Sequence, residues 1–304
     1  MKLATLDDGS RDGQLVVVSR DLASAHHASG IASRMQHLLD DWNFVSPQLQ
    51  DLYVTLNQGK ARHAFAFDPS ACKAPLPRAS LWAAVAAAGE GGSALPAFDG
   101  QGGELRGACA AMRSADRRWG LVAEPALAVV IGDLDAAADA GRALDAVRLL
   151  GLCNAWTCHA LLADERRRGG TLVHSRPATA FSPVLVTPDE AGTAWHAGRL
   201  ALTLEITCDG RTAARIDCAG AQRWPFGELL THLARTRRLA AGTVVSSGAL
   251  REASAADAEV RHIRLDLHGS DGASLFGAIE QRVEHSDPAD EERPGGAPPA
   301  GVRR

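Results

Sequence analysis

The chain of 304 residues lacks most features that assign a protein to a class at sight. Its formal net charge is only −4 and its pI is near 6.3, so neither nucleic acid nor an anionic membrane is favoured as a partner. No apolar run reaches the length of a membrane span, and the N-terminus has no signal-peptide pattern, which predicts a cytoplasmic protein. Cys72, Cys109, Cys153, Cys158, Cys208 and Cys218 are scattered without a CxxC pair. That argues for reduced, buried thiols and against a disulfide framework or a zinc site. There is no histidine between His63 and His159, so the middle of the chain has no ready general base of that type. Residues 82–118 are rich in Ala and Gly and poor in large apolar side chains, which predicts a loose loop. From Asp287 onward Pro, Gly and charge dominate, predicting a disordered tail over 287–304.

What is present centres on the stretch Trp119–Ile131, WGLVAEPALAVVI, which predicts a strand. Side chains alternate along a strand, so Glu124 and Ala126 share a face while Pro125 points away. Carboxylates at both positions would set oxygen ligands side by side for a hard divalent cation; here the second is an alanine. Around this stretch, Lys2–Leu6 and Gln14–Ser19 predict a hairpin over DDGSRDG. Helical spacing is present in Ile31–Leu39 and Pro47–Leu56, and Lys60–Phe67 predicts a returning strand. Pro75–Arg78 is a stiff connector. Asp135–Leu152 predicts a helix with Ala140, Leu144, Val147 and Gly151 on its apolar side. Leu200–Cys208 and Thr212–Cys218 predict a hairpin around Asp209–Gly210, Phe226–Leu239 an amphipathic helix, and Gly242–Gly248 a strand. His262–Leu267 and Ala273–Ile279 predict a last hairpin over HGSDG. Short strands, Gly-Asp turns and few helices predict an α+β protein with a mixed, largely antiparallel β-roll or sandwich. His26–His27 precedes a glycine in a polar stretch and reads as a solvated pair. Cys158–His159 does not read as a catalytic dyad, because neighbouring helix residues do not face each other.

The central strand resembles the Glu-x-Glu strand of the fumarylacetoacetate hydrolase family. The segments MKLATLDDGSRDGQLVVVSRD, DDWNF-SPQLQDLY, APLPRA, SRPATAFSPVLVTPDE, FGELLTHLARTR and SLFGAIEQ extend the resemblance over most of residues 1–286. It implies a small N-terminal α/β cap domain over residues 1–72, a hydrolase-like domain over 73–286, and a dimer. Family enzymes act on β-diketo or keto acids as hydrolases, decarboxylases or isomerases with Mg²⁺ or Mn²⁺. Carried over by position, Glu124 is the first carboxylate; the second is Ala126, the aspartate is Ala155, the lysine is Arg176 and a hydroxyl is Ala249. The family histidine has no counterpart in sequence.

These departures predict that the metal is not held, so no cofactor is expected unless Asp133, Asp135, Glu90 or Asp99 replaces the missing ligands. The leading expectation is a family fold that has lost the metal-dependent hydrolase activity and serves as a binding or partner subunit, in a homodimer or with a related chain. The alternatives are metal-independent chemistry on a keto-acid-like small molecule, or a divergent divalent-metal hydrolase. For an active protein the expected site residues are Glu124 as catalytic acid or base, with Arg176, Ser247 and Gly248 as substrate contacts.

Overall fold

The computed structural model describes residues 1–85, 98–99, 104–169, 172–251, 260–269 and 271–285. Expectations for Glu90, for residues 86–97 and 100–103 of the Ala/Gly-rich stretch and for the tail lie outside the described residues, as does the side chain of Asp99. The described part of 82–118 is not a loose loop: it contains strands Leu81–Val85, Glu104–Arg106 and Met112–Ser114, each paired into a sheet. The fold is α+β, mostly strands in mixed and antiparallel sheets. Among the described residues no helix is long and apolar enough to cross a membrane.

Strand Leu121–Ile131 is buried along all 11 residues. It is preceded by a short 3₁₀ turn, Arg117–Trp119, that ends on Gly120 in the left-handed region. One neighbour is strand Val147–Cys158, antiparallel, with Ala155 opposite Glu124 and Cys153 opposite Ala126. The other is strand Thr243–Ala249, also antiparallel. Alternation sorts the central strand between two apolar layers. Ala126, Ala128 and Val130 pack with Leu3, Leu15, Val17, Met35 and Leu38 of the N-terminal region. Leu127, Val129 and Ile131 face the other way, packing with Leu204, Phe226 and Leu265. The N-terminal hairpin, Lys2–Leu6 and Gln14–Val18, extends the same sheet through Leu185–Val186. A separate five-stranded sheet contains Thr203–Cys208, Arg211–Asp217 and His262–His268. Lys2 Nζ donates to the Leu275 carbonyl at 2.8 Å, and Tyr53 donates to Glu190 at 2.7 Å, tying the N-terminal region to the rest.

Pro125 shapes the strand beside it. It has no N–H to give to a ladder, and strand Thr243–Ala249 bulges there: Ser246 faces Ala128, and the next pair is Ala249 with Ala126. The Ser247 hydroxyl accepts the Leu127 amide at 3.1 Å and donates to the Gly248 carbonyl at 2.9 Å. Leu250 N–H donates to the Pro125 carbonyl at 2.8 Å. Gly248 sits at φ +80° in this bulge, a conformation that side chains with a Cβ resist.

Other expected elements differ, among them the strand expected over Lys60–Phe67, which is only Phe65–Ala66. The predicted helix Asp135–Leu152 is a short helix, Ala140–Asp145, followed by the long strand Val147–Cys158. That strand is buried on both faces, so the alternation that marks a strand is missing from its sequence. The helix predicted from Phe226 ends at Leu233, and the one predicted from Ile31 begins at Met35. The last strand is Ile279–His285, not Ala273–Ile279. Within it Ile279, Gln281 and Val283 are buried while Glu280, Arg282 and Glu284 are exposed.

Candidate active site

The central sheet forms a small, partly open cleft. Strand Leu121–Ile131 supplies Glu124 and Ala126, strand Val147–Cys158 supplies Ala155, and the bulge supplies Ser246, Gly248 and Ala249. Trp82 and Val85, on strand Leu81–Val85, form a wall. The Trp82 ring meets Phe181 edge-on at 5.4 Å, and both rings belong to the apolar layer on the N-terminal side.

Glu124 is 8 % exposed and lies between a guanidinium and an imidazole. Its Oε2 accepts from Arg176 Nη1 at 2.5 Å. Its Oε1 lies 3.5 Å from His159 Nε2. Arg176 is itself buried and donates from Nη1 to the Thr157 hydroxyl as well. The two sequence-predicted residues Glu124 and Arg176 are therefore brought together, and as partners of each other. His159 was missed as a partner. It opens helix His159–Arg168, and its backbone N–H donates to the Gly120 carbonyl at 3.1 Å. That bond fixes the helix start against the start of the central strand. The relevant neighbour of His159 is thus a residue 35 positions away, which spacing alone does not reveal. Cys158 is no part of this chemistry: burial, with a smaller contribution from Glu165, pushes its thiol up to about 11.

The same helix controls Arg176 from a second point. Glu165 accepts from the backbone N–H groups of Val173 (3.0 Å), His174 (2.7 Å) and Ser175 (3.2 Å), and from the Ser175 hydroxyl at 2.5 Å. On the far side of the loop, Cys158 N–H donates to the Ser175 carbonyl at 2.8 Å. Desolvation alone would raise the Glu165 carboxyl, but these hydrogen bonds outweigh it and hold the group at about 2. The loop that delivers Arg176 is clamped on both sides.

Of the other expected contacts, Gly248 lines the cleft, whereas the Ser247 hydroxyl is engaged by the bulge. Ser246 lines the cleft and accepts the Gly248 amide at 3.0 Å. Asp133 pairs with Arg238 at 2.9 Å and Asp135 is exposed; neither lines the cleft. His26 Nε2 and Nδ1 lie 2.8 and 2.7 Å from backbone carbonyls of Arg62 and His27, a structural arrangement.

A divalent cation does not fit the donor set. A hard cation wants several oxygen ligands, and Ala126 and Ala155 offer methyl groups beside Glu124. Among the described lining residues the one carboxylate, Glu124, is already bonded to a guanidinium. Among the described residues no group of three or more His, Cys, Asp or Glu could hold a metal ion.

Glu124 thus lies at the cleft with one oxygen bonded to the Arg176 guanidinium and the other 3.5 Å from the His159 imidazole, which makes no hydrogen bond to it. The chain belongs to the fumarylacetoacetate hydrolase family: the Fumarylacetoacetate (FAA) hydrolase C-terminal domain matches residues 89–284, and Fumarylacetoacetase N-terminal domain 2 matches residues 1–78. Similar solved structures include maleylpyruvate hydrolase from Sphingobium sp. SYK-6, with 13 % identity over 94 % of this chain and 100 % of that one, TM-score 0.65. The same enzyme has been solved with manganese(II) and pyruvate, at TM-score 0.64 with the same identity and coverage. Another is 2-hydroxyhepta-2,4-diene-1,7-dioate isomerase from Mycobacterium marinum, with 12 % identity over 94 % of this chain and 98 % of that one, TM-score 0.59. At these identities the likeness is one of fold. No curated protein matches the chain.

Proposed function

We propose that this protein is an enzyme performing acid–base chemistry on a small enolisable keto acid without a divalent cation. The observation that carries the reading is the division of Glu124, with one oxygen facing His159 and the other bonded to Arg176. A carboxylate–imidazole pair can take a proton from the carbon beside a ketone and return it elsewhere. A buried, fixed guanidinium can stabilise the enolate oxygen that forms, and it is always charged. Thr157 and the Glu165 clamp hold that guanidinium in place, so little reorganisation is needed as charge develops. Gly248 and Ser246, at the rim of the bulge, are proposed substrate contacts. The names of the similar structures, a hydrolase of maleylpyruvate and an isomerase of a hydroxydienedioate, support keto- or enol-acid chemistry on this fold. Isomerisation, decarboxylation and carbon–carbon hydrolysis all fit a site that makes and protonates an enolate.

The loss of donors at Ala126 and Ala155 favours a second reading, a non-catalytic binding subunit that pairs with itself or with a related chain. Both readings are separated by following hydrogen–deuterium exchange beside the carbonyl of a panel of 2-oxo acids, by NMR across pH. The enzyme reading expects catalysed exchange that Glu124→Gln lowers by about a hundredfold or more. Exchange that survives Glu124→Gln intact refutes the acid–base role, and a wild-type protein inert toward the whole panel leaves the subunit reading.

A further inference from the structure

We infer that the cleft selects a ligand carrying at most one negative charge, a 2-oxo monocarboxylate with an apolar tail, and rejects dicarboxylates. The inference rests on the keto-acid reading above and narrows it. The first support is the charge lining the cleft. Arg176 is the one cationic side chain among the described lining residues, and Glu124 is the one anionic side chain. They lie 2.5 Å apart and offset each other. His159 adds at most one further positive charge, and it faces the same carboxylate. One carboxylate on the ligand can share the guanidinium with Glu124. A second would enter a low-dielectric cleft with no cation of its own, where like charges repel more strongly than in water.

The second support is the shape of the remaining lining. Ala126, Ala155 and Ala249 present methyl groups across three adjacent strands, because Ala155 is opposite Glu124 and Ala249 opposite Ala126. Trp82 and Val85 complete an apolar wall. That surface favours a hydrocarbon tail over a hydrated carboxylate.

The matched probes are 2-oxopentanoate and 2-oxopentanedioate, which have the same carbon chain and differ in a terminal methyl against a terminal carboxylate. Their binding to the full chain is measured by calorimetry at neutral pH and low salt, which requires no turnover. The monocarboxylate is expected to bind at least about tenfold more tightly. In Glu124→Gln the guanidinium loses its counter-charge, so the dicarboxylate is expected to gain more affinity than the monocarboxylate. Arg176→Gln is expected to weaken the monocarboxylate. Equal or tighter binding of 2-oxopentanedioate to the wild type overturns the inference, as does failure of 2-oxopentanoate to bind at millimolar concentration. If the preference holds while no proton exchange is catalysed, the charge selection stands and the enzyme reading fails, so the two outcomes are distinguishable.

Discussion

Replacing Glu165 with alanine removes the acceptor of four hydrogen bonds, three from consecutive backbone amides and one from the Ser175 hydroxyl. A hydrogen bond to an ionised acceptor contributes about 1.5–3 kcal/mol when buried. Glu165 is half-buried and water can take over some of these donors, so the four together are expected to contribute about 2–3 kcal/mol, mostly to local order. Glu165→Ala should therefore open the loop 173–175 locally, raising amide exchange at Val173, His174 and Ser175 by about 30- to 150-fold. Strand Leu121–Ile131 should keep its protection. Glu165→Gln retains one carbonyl acceptor and should fall between the two. The pH dependence has a defined sign. The carboxyl is near 2 in the folded chain against an ordinary 4.5, so its contribution is complete above about 4.5 and is lost as pH falls from there through about 2. Hydrogen exchange read by mass spectrometry, with pH steps between those values, measures both effects. If Glu165→Ala leaves exchange at 173–175 unchanged, the clamp has no energetic role and the account of how Arg176 is held is wrong.

Glu124→Ala leaves the buried Arg176 guanidinium without its carboxylate and should cost about 3–5 kcal/mol in a urea titration; Glu124→Ala with Arg176→Met should recover most of it, and a double variant as unstable as the single would contradict the pairing. Gly248→Ala places a Cβ at φ +80° and 3.2 Å from Val85, so a loss of about 1–3 kcal/mol in thermal unfolding is expected. The Cys158 thiol, pushed up to about 11 by burial, should resist iodoacetamide at neutral pH, and Cys158→Ala should leave proton exchange unchanged; rapid inactivation by alkylation of Cys158 would reverse that assignment.

How far the sequence led depends on where each signal is stored. The hairpin of Lys2–Leu6 with Gln14–Val18 and the hairpin around Asp209–Gly210 were legible because turn residues and strand propensity are local. The central strand was legible from its bounding turns, although both its faces are buried. Val147–Cys158 was not: a strand covered on both sides has no period of two, and Ala140, Leu144, Val147 and Gly151 mimic helical spacing. The last strand did carry a clear alternation from Ile279 to Glu284, which was obscured by assigning HGSDG to its hairpin turn. At the site, the residue types at positions 124 and 176 could be taken from motif matching, but their contact could not. His159 reaches Glu124 because the long strand delivers it beside the start of the central strand, a consequence of register rather than of spacing. The bulge at Ser247 likewise follows from Pro125 in the neighbouring strand.

The central claim is that Ala126 and Ala155 stand where metal chemistry would need carboxylate ligands, and that the remaining carboxylate, Glu124, is held by Arg176, a fixed cation of the chain itself. A calorimetric titration of the purified chain with Mn²⁺, paired with proton exchange on a 2-oxo acid in chelator, tests it most directly. The account predicts no saturable Mn²⁺ binding at the cleft, exchange that is indifferent to chelator, and Mn²⁺ binding that appears in the variant Ala126→Glu, Ala155→Asp, Arg176→Lys. Tight Mn²⁺ binding by the wild-type chain together with chelator-sensitive exchange would contradict it.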